Sequence, residues 1–405
     1  MTNFAQQRAG TSTRLGNPAQ AVEAARLLAP RFAARAADHD AAAEFPEADF
    51  ADLREAGLLG LMAPARLGGA GAGFADYAEV AMELAAGAGA TALVFNMHVS
   101  VTGALATTPD EVVHALGAPR SYFEQRDRLL ADAVNGALYA VAMSERGVGS
   151  RLSQISTRYR AVDGGYRICG SKTFVSAAGH ADAYLVAARA SDADEPAVSY
   201  FVVPAGEGVR VQPTWDSLGM RATASHDLHL DVTVASDALL GGVEGLTLAL
   251  ARTMPQWLVA SYAAVYVGVA RSALDAAARH CADRGLATLP AVRSRLGRAD
   301  ADVAAARLVV GEAARRVDAA QGQPETNRWV WRAKLIAGDT AARVASSMLE
   351  AAGTSATRRG HPLERIYRDA RCAALQPATS DVCADWLGVA AMGGEPDQDA
   401  HVARW

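Results

Sequence analysis

Leu228-His229-Leu230-Asp231-Val232-Thr233-Val234 alternates apolar and polar residues without a break. A period of two sends every second side chain to one face, so the stretch predicts a half-buried β-strand. Upstream, Tyr159 to Val162 and Tyr166 to Cys169 flank Asp163-Gly164-Gly165. Glycine supplies positive φ there without steric cost, which predicts a hairpin. Ala183 to Ala190 and Ser199 to Val203 read as further strands. Residues 140 to 240 therefore form one β unit.

On both sides of that unit the pattern becomes helical. From Pro18 to Tyr139 the chain is Ala-rich, with Leu27, Leu28, Phe32 and Ala36 at helical spacing. Phe45-Pro46 breaks one helix before Phe50, Leu53 and Leu58 mark the next. Helical pattern returns in long segments from Gly245 to Gly394. One β unit between two helical ones argues for an α+β fold and against a doubly wound sheet. The expected division is a flexible N-terminus at 1–17, an N-terminal helical domain at 18–138, a middle β domain at 139–241 and C-terminal helices at 242–405. The Gly-rich turn from Pro64 to Gly71 follows no apolar strand, so it is a connector and not a phosphate loop.

The 405 residues carry a net charge of −5 with 20% charged side chains, so no basic stripe exists for nucleic acid. Cys169, Cys281, Cys372 and Cys383 form no Cys-x-x-Cys pair and are expected to be reduced, with no metal. Met1 to Gly16 lacks the apolar core of a secretory signal. No membrane span is expected, because no stretch is read as about 18 to 20 apolar residues free of charge. A cytoplasmic enzyme acting on a small molecule is the expectation.

Several motifs then occur in order: Leu53-Arg54-Glu55-Ala56-Gly57-Leu58-Leu59-Gly60, Gly68-Gly69, Ala142-Met143-Ser144-Glu145-Arg146-Gly147-Val148-Gly149-Ser150, Gly170-Ser171-Lys172-Thr173-Phe174-Val175-Ser176 and Ser217-Leu218-Gly219-Met220-Arg221. With Tyr367-Arg368-Asp369-Ala370-Arg371 near the end, they resemble the acyl-CoA dehydrogenase flavoproteins. That resemblance implies an N-terminal helical domain, a middle β-barrel, a C-terminal four-helix bundle and bound FAD. An isoalloxazine wants donors at its pyrimidine edge and a flat apolar neighbour. By resemblance the loop from Met143 through Gly149 meets the cofactor, Ser144 bonds the ring, and Ser150 meets phosphate or substrate. Phe174 packs on the ring and Ser176 bonds it. Taken singly, these residues also fit a surface loop and a strand aromatic.

Arg293-Ser294-Arg295-Leu296-Gly297 resembles the family's Arg-x-x-Phe-Gly, whose Arg reaches the pyrophosphate of a neighbouring subunit, with Leu296 replacing the aromatic. This implies a homodimer or homotetramer. Gly353 lies in the family's Gln-x-x-Gly-Gly turn, where Glu350 replaces the Gln. A carboxylate there cannot donate, and it would repel a diphosphate. Thr379 and Asp381 match cofactor-contacting positions after the last turn.

The resemblance fails at the reacting group. The glutamate that removes the substrate α-proton falls on Pro377, and the alternative site on an earlier helix falls near Leu258 or Val259. A positioned base is worth about 10²- to 10⁴-fold in rate. His98 and Asp381 are the substitute bases that can be named within the expected site, although a hydrogen-bonded core histidine is the favoured reading of His98 and Asp381 also fits a cap or cofactor contact. Tyr262, Tyr266, Gln376 and Pro377 complete the expected substrate pocket with His98. The leading expectation is an FAD-dependent dehydrogenase acting on an acyl thioester of CoA or a carrier protein, served by an electron-transfer or flavin-reductase partner. A flavin monooxygenase on the same fold and a flavin-binding scaffold without chemistry are the alternatives.

Overall fold

The computed structural model describes residues 14–191 and 197–396. Most of the expected N-terminal tail lies outside them. Its last residues belong to the fold, because Leu15 is buried and Asn17 caps the first helix, its Oδ1 accepting from Gln20 N–H at 3.1 Å.

Six helices come first: α1 (Pro18–Ala42), α2 (Glu47–Glu55), α3 (Phe74–Gly87), α4 (Gly89–Thr107), α5 (Asp110–Ala115) and α6 (Arg120–Val134). Seven strands follow: β1 (Tyr139–Ala142), β2 (Arg158–Val162), β3 (Gly165–Val175), β4 (Ala183–Ala190), β5 (Val198–Pro204), β6 (Val209–Gln212) and β7 (His226–Ala235). They form one sheet in the order β1-β4-β2-β3-β7-β6, with β5 also paired to β4. This branched sheet is the form the expected β-barrel takes. The hairpin is where the sequence put it, with Val162 opposite Gly165 and Gly164 at φ 77°. On β7, Leu228, Leu230 and Val234 are buried while Asp231 and Thr233 are exposed, as the alternation requires.

The last helices are α7 (Leu246–Thr253), α8 (Ala260–Asp283), α9 (Pro290–Ala320), α10 (Pro324–Ala352), α11 (Pro362–Arg371) and α12 (Ser380–Ala391). Proline opens α9, α10 and α11, where the first N–H has no intrahelical partner to lose. Val303, Ala306, Val310, Ala313 and Val317 form the buried stripe of α9, and α10 packs against α8, α9, α11 and α12. Close approach of α8 to α3 depends on Gly268, where an added Cβ would lie 2.4 Å from the Met82 carbonyl oxygen.

The expectation of no membrane span stands, although its premise about apolar stretches is too strict. Two segments, Gly89–Thr107 and Pro255–Asp283, are long and apolar enough to cross a membrane. Their apolar windows are 83% and 72% buried inside the protein, so α4 and α8 spend that hydrophobicity on the core.

The Arg-Asp pair of the C-terminal motif ties the three parts together. Arg368 donates to both carboxylate oxygens of Asp40 on α1 at 3.0 and 2.5 Å, to Glu364 at 2.7 and 2.9 Å, and to the Leu218 carbonyl at 3.0 Å. Asp369 accepts from Met220 N–H at 2.6 Å. Gly219 lets that loop in, since a Cβ there would sit 2.2 Å from the Arg368 carbonyl oxygen.

Candidate functional site

Between Lys172 and Val175 the β3–β7 register shifts, and Phe174 adopts φ 57°. A bulky residue in the left-handed region is costly and persists only where its surroundings hold it. The result is an aromatic ring 63% exposed, edge-on to Trp215 with centroids 6.1 Å apart. It lines a cavity of about 640 Å³ together with Glu145, Arg146, Gly149, Trp215 and Asp227.

That wall is braced from behind. Lys172 Nζ, fully buried, donates to Glu145 Oε1 at 2.8 Å and to the Met143 carbonyl at 3.2 Å. Glu145 also accepts from Ser156 N–H and Oγ–H at 2.6 Å each and from Thr157 N–H at 3.0 Å. Burial by itself would raise the Glu145 carboxyl, but the Lys172 ammonium and these hydrogen bonds bring it down to about 2. Burial pulls Lys172 down to about 8 against the opposing pull of Glu145. Thr173 N–H donates to the Ser144 carbonyl at 2.9 Å, and its hydroxyl to Asp227 at 2.7 Å. Arg146 closes the rim on Asp227 at 2.7 Å.

The expected cofactor residues divide here. Met143 is buried, Gly149 is exposed, and Ser144 and Ser150 are half-buried on the loop. Ser176 is buried and its hydroxyl is shared with Ser225 at 2.9 Å, which in turn meets Thr223 at 2.7 Å. Arg293 is exposed in the first turn of α9, and Leu296 is half-buried against the core. Glu350 pairs with Arg295 at 2.6 Å, which accounts locally for the Gln-to-Glu departure. Gly353 ends α10 at φ 77°. Thr379 is the N-cap of α12, its Oγ1 accepting from Val382 N–H at 3.2 Å, and Asp381 is exposed in that first turn.

On the substrate side, His98 is committed at both nitrogens. Its Nε2 meets the Leu59 carbonyl at 2.8 Å and its Nδ1 accepts from Tyr139 N–H at 3.1 Å. Burial holds it near 4, so the ring is a neutral bridge between backbones and not a free base. Tyr262 is half-buried and Tyr266 fully buried on α8. The turn after α11 is held from beneath, where Lys334 Nζ donates to the Ala373 carbonyl at 2.8 Å and Ser380 Oγ to Asp339 at 2.9 Å. Pro377 is half-buried there, and the buried Gln376 Oε1 has no partner among the described residues. Leu258 and Val259 bring no titratable group.

Sequence reasoning passed over Glu145, Lys172, Lys334 and Arg368 as functional supports. Glu145, Lys172 and Arg368 stood inside quoted motifs, and a charged residue among strand or loop apolars was the available signal. Lys334 carried none, because its partner is 39 residues away.

An exposed aromatic ring, a loop of hydroxyls and glycines, and an adjacent open cavity fit a flat heterocycle such as flavin. The chain matches the acyl-CoA dehydrogenase N-terminal domain over residues 19–112, the middle domain over 140–233 and the C-terminal domain over 247–386. It belongs to the acyl-CoA dehydrogenase family of flavoproteins. L-evernosamine nitrososynthase of a Micromonospora species is 32% identical over 91% of this chain and 89% of that protein. Benzylmalonyl-CoA dehydrogenase of Aromatoleum aromaticum is 29% identical over 88% and 93%. FMN-bound TdsC of Paenibacillus sp. A11-2, a dibenzothiophene monooxygenase, superposes with a TM-score of 0.80 at 26% identity over 92% of this chain and 97% of its own. Butyryl-CoA dehydrogenase of Megasphaera elsdenii, at 23% identity, shares the fold with a TM-score of 0.81 over 97% of this chain and 99% of its own.

Proposed function

We propose that the protein is a flavin-dependent monooxygenase on the acyl-CoA dehydrogenase fold. The observation that carries this reading is that, among the described residues, no carboxylate stands at either position thioester dehydrogenation uses, while Asp381, the other substitute, is exposed in the first turn of α12. Pro377 occupies the expected position, Leu258 and Val259 the alternative one, and His98 has both nitrogens engaged. Asp369, close in sequence to the turn, is tied to Met220 N–H and paired with Arg365 at 3.5 Å. Without a base the α-proton stays, and hydride transfer from an acyl chain stalls. Oxygen insertion needs no α-proton base, and the histidines that resembling monooxygenases often carry in this turn fall here on Ala373 and Gln376. Similarity to a nitrososynthase and to TdsC supports the same reading.

Bound in its reduced form, flavin supplies two electrons to dioxygen, so that one oxygen atom enters substrate and the other leaves as water. The residues of this chain bind and orient. Phe174 gives the ring a flat face, the Ser144 and Ser150 hydroxyls offer hydrogen bonds, and the Glu145–Lys172 pair keeps loop and strand in register. The reading takes FMN over FAD, because TdsC holds FMN. Arg293, Leu296 and Gly353 line no part of the Phe174 cavity; the family resemblance alone assigns them to the flavin of a second copy in a homo-oligomer.

The test has three arms. Extracted cofactor is identified as FMN or FAD. The protein is mixed anaerobically with butyryl-, octanoyl- and benzylmalonyl-CoA, and the visible flavin band is followed. Reduced flavin and oxygen are then supplied. A band that stays oxidised with every thioester, with oxygen uptake on adding reduced flavin whose rate and peroxide yield differ from those of free reduced flavin, is the expected result. Prompt bleaching by a thioester restores the dehydrogenase.

A further inference from the structure

A second cavity, of about 520 Å³, opens between α1, α8 and α11 and shares no lining residue with the Phe174 cavity. That volume suits a small organic ligand. Its floor is built from residues without bulk. Ala33, Ala37 and Ala41 recur every fourth residue along α1 and so lie on one face, and Ala276 lines the same space from α8.

The rest of the lining is rich in guanidinium groups: Arg221, Arg279, Arg359 and Arg365. Arg279 is exposed on α8, and its side chain has no ion pair or hydrogen bond among the described residues. Arg359 is 79% exposed and reaches Glu364 Oε1 only at 3.5 Å. Arg365, its side chain 12% exposed, stands 3.5 Å from Asp369, and its buried Nε has no partner among the described residues. Arg221 is the one already spent, donating to the Asp40 and Ser217 carbonyls at 3.0 Å each and to Asp216 at 3.1 Å.

Two carboxylates also line the cavity, Asp40 and Glu364. All four of their oxygens accept from Arg368, which lies outside the lining. His361 is occupied too, its Nδ1 accepting from Leu363 N–H at 3.2 Å and its Nε2 lying 3.1 Å from His280 Nδ1. The space therefore offers donors with few acceptors to answer them. Guanidinium groups gathered around one opening repel one another, and a bound anion relieves that repulsion.

We infer that this cavity binds an organic phosphate, with the phosphate between Arg279, Arg359 and Arg365 and the organic part over the alanine floor. A guanidinium fork matches phosphate oxygens two at a time, and a dianion answers more than one fork where a single carboxylate does not. The site is separate from the Phe174 cavity and does not depend on the reaction proposed there.

Calorimetric titration of the flavin-loaded protein at constant ionic strength tests it, with inorganic phosphate, ribose 5-phosphate, ADP and citrate as probes. At least one organic phosphate binds, and binds tighter than inorganic phosphate or citrate. Arg279→Ala and Arg359→Ala, both at exposed positions, each weaken it by about 10-fold, the worth of a charge-assisted hydrogen bond, with the melting temperature of the ligand-free protein unchanged. Ala37→Leu fills the floor, so it weakens the organic phosphate and leaves inorganic phosphate as it was. Ribose 5-phosphate matching ADP makes the ligand a sugar phosphate; ADP alone makes it a nucleotide. The inference is overturned if no phosphate binds, if citrate binds as tightly as the best phosphate, or if affinity survives both arginine variants. The visible flavin spectrum is followed throughout, and a probe that binds only by displacing flavin also counts against it.

Discussion

The strand wall around Phe174 and the turn around Pro377, both expected from the family resemblance to serve the flavin, are built in opposite ways. At the wall, the buried polar groups answer one another: Lys172 with Glu145, Thr173 with Asp227, and Ser176 with Ser225. At the turn, the position expected to react is a proline, Gln376 Oε1 has no partner among the described residues, and the support comes from Lys334 and Asp339 behind it. The Phe174 wall, the proposed cofactor seat, is thus specified by interlocking pairs, which a single change disrupts. The Pro377 turn is carried on contacts that do not depend on which side chain it presents, which is how one fold can host different reactions.

Breaking the wall is expected to have the largest effect. Lys172→Met leaves Glu145 buried without its ammonium, and removing one partner of a buried ion pair costs about 3–5 kcal/mol. Urea unfolding should register that loss, with flavin released at lower denaturant than in the parent. Acid probes the same pair. The Glu145 carboxyl is held at about 2 against an ordinary 4.5, so its contribution is complete above pH 4.5 and fades as pH falls through that value toward 2. Glu145→Gln should flatten the stability profile in that window; parallel profiles would mean that the pair does not form.

Phe174→Ala comes next. Because the ring is mostly exposed, the fold should keep its melting temperature, while flavin dissociation rises about 10-fold for the lost stack. Equilibrium dialysis against FMN measures it. Thr379→Ala removes an N-cap from α12 and should cost about 1 kcal/mol. A flavin affinity that falls with it would give Thr379 a cofactor contact beyond its cap.

Pro377→Glu is expected to change least. If the pocket is a dehydrogenase pocket lacking only its base, the new carboxylate should raise flavin reduction by saturated thioesters at least about 10²-fold. The monooxygenase reading expects no gain, with Pro377→Gln as the control for releasing the proline backbone. Stopped-flow reduction under anaerobic conditions decides between them.

Local pattern carried the architecture. Alternation on β7, glycine in the β2–β3 turn and helical spacing in the flanks each reflect a residue's own backbone preference and the face it buries, so they could be read from neighbours in the chain. Motif order carried the family and the Phe174 wall. It failed to distinguish a residue that touches ligand from one that supports another residue. Thr379 caps a helix, His98 bridges two backbones and Arg368 joins three parts of the protein.

By itself, the sequence determined the helix–sheet–helix order, the likeness to a flavoprotein family and the loss of the glutamate at Pro377. Only the tertiary structure decided which titratable groups are free. It spent His98 on Leu59 and Tyr139, gave Glu350 to Arg295 and sank Lys334 beneath the turn. Among the described residues it left Tyr266 Oη and Asn96 Nδ2 buried without a partner. The physical reason is that a side chain's protonation and hydrogen bonding depend on burial and on partners brought from distant segments, and neither is written in the spacing of residues along one strand or helix.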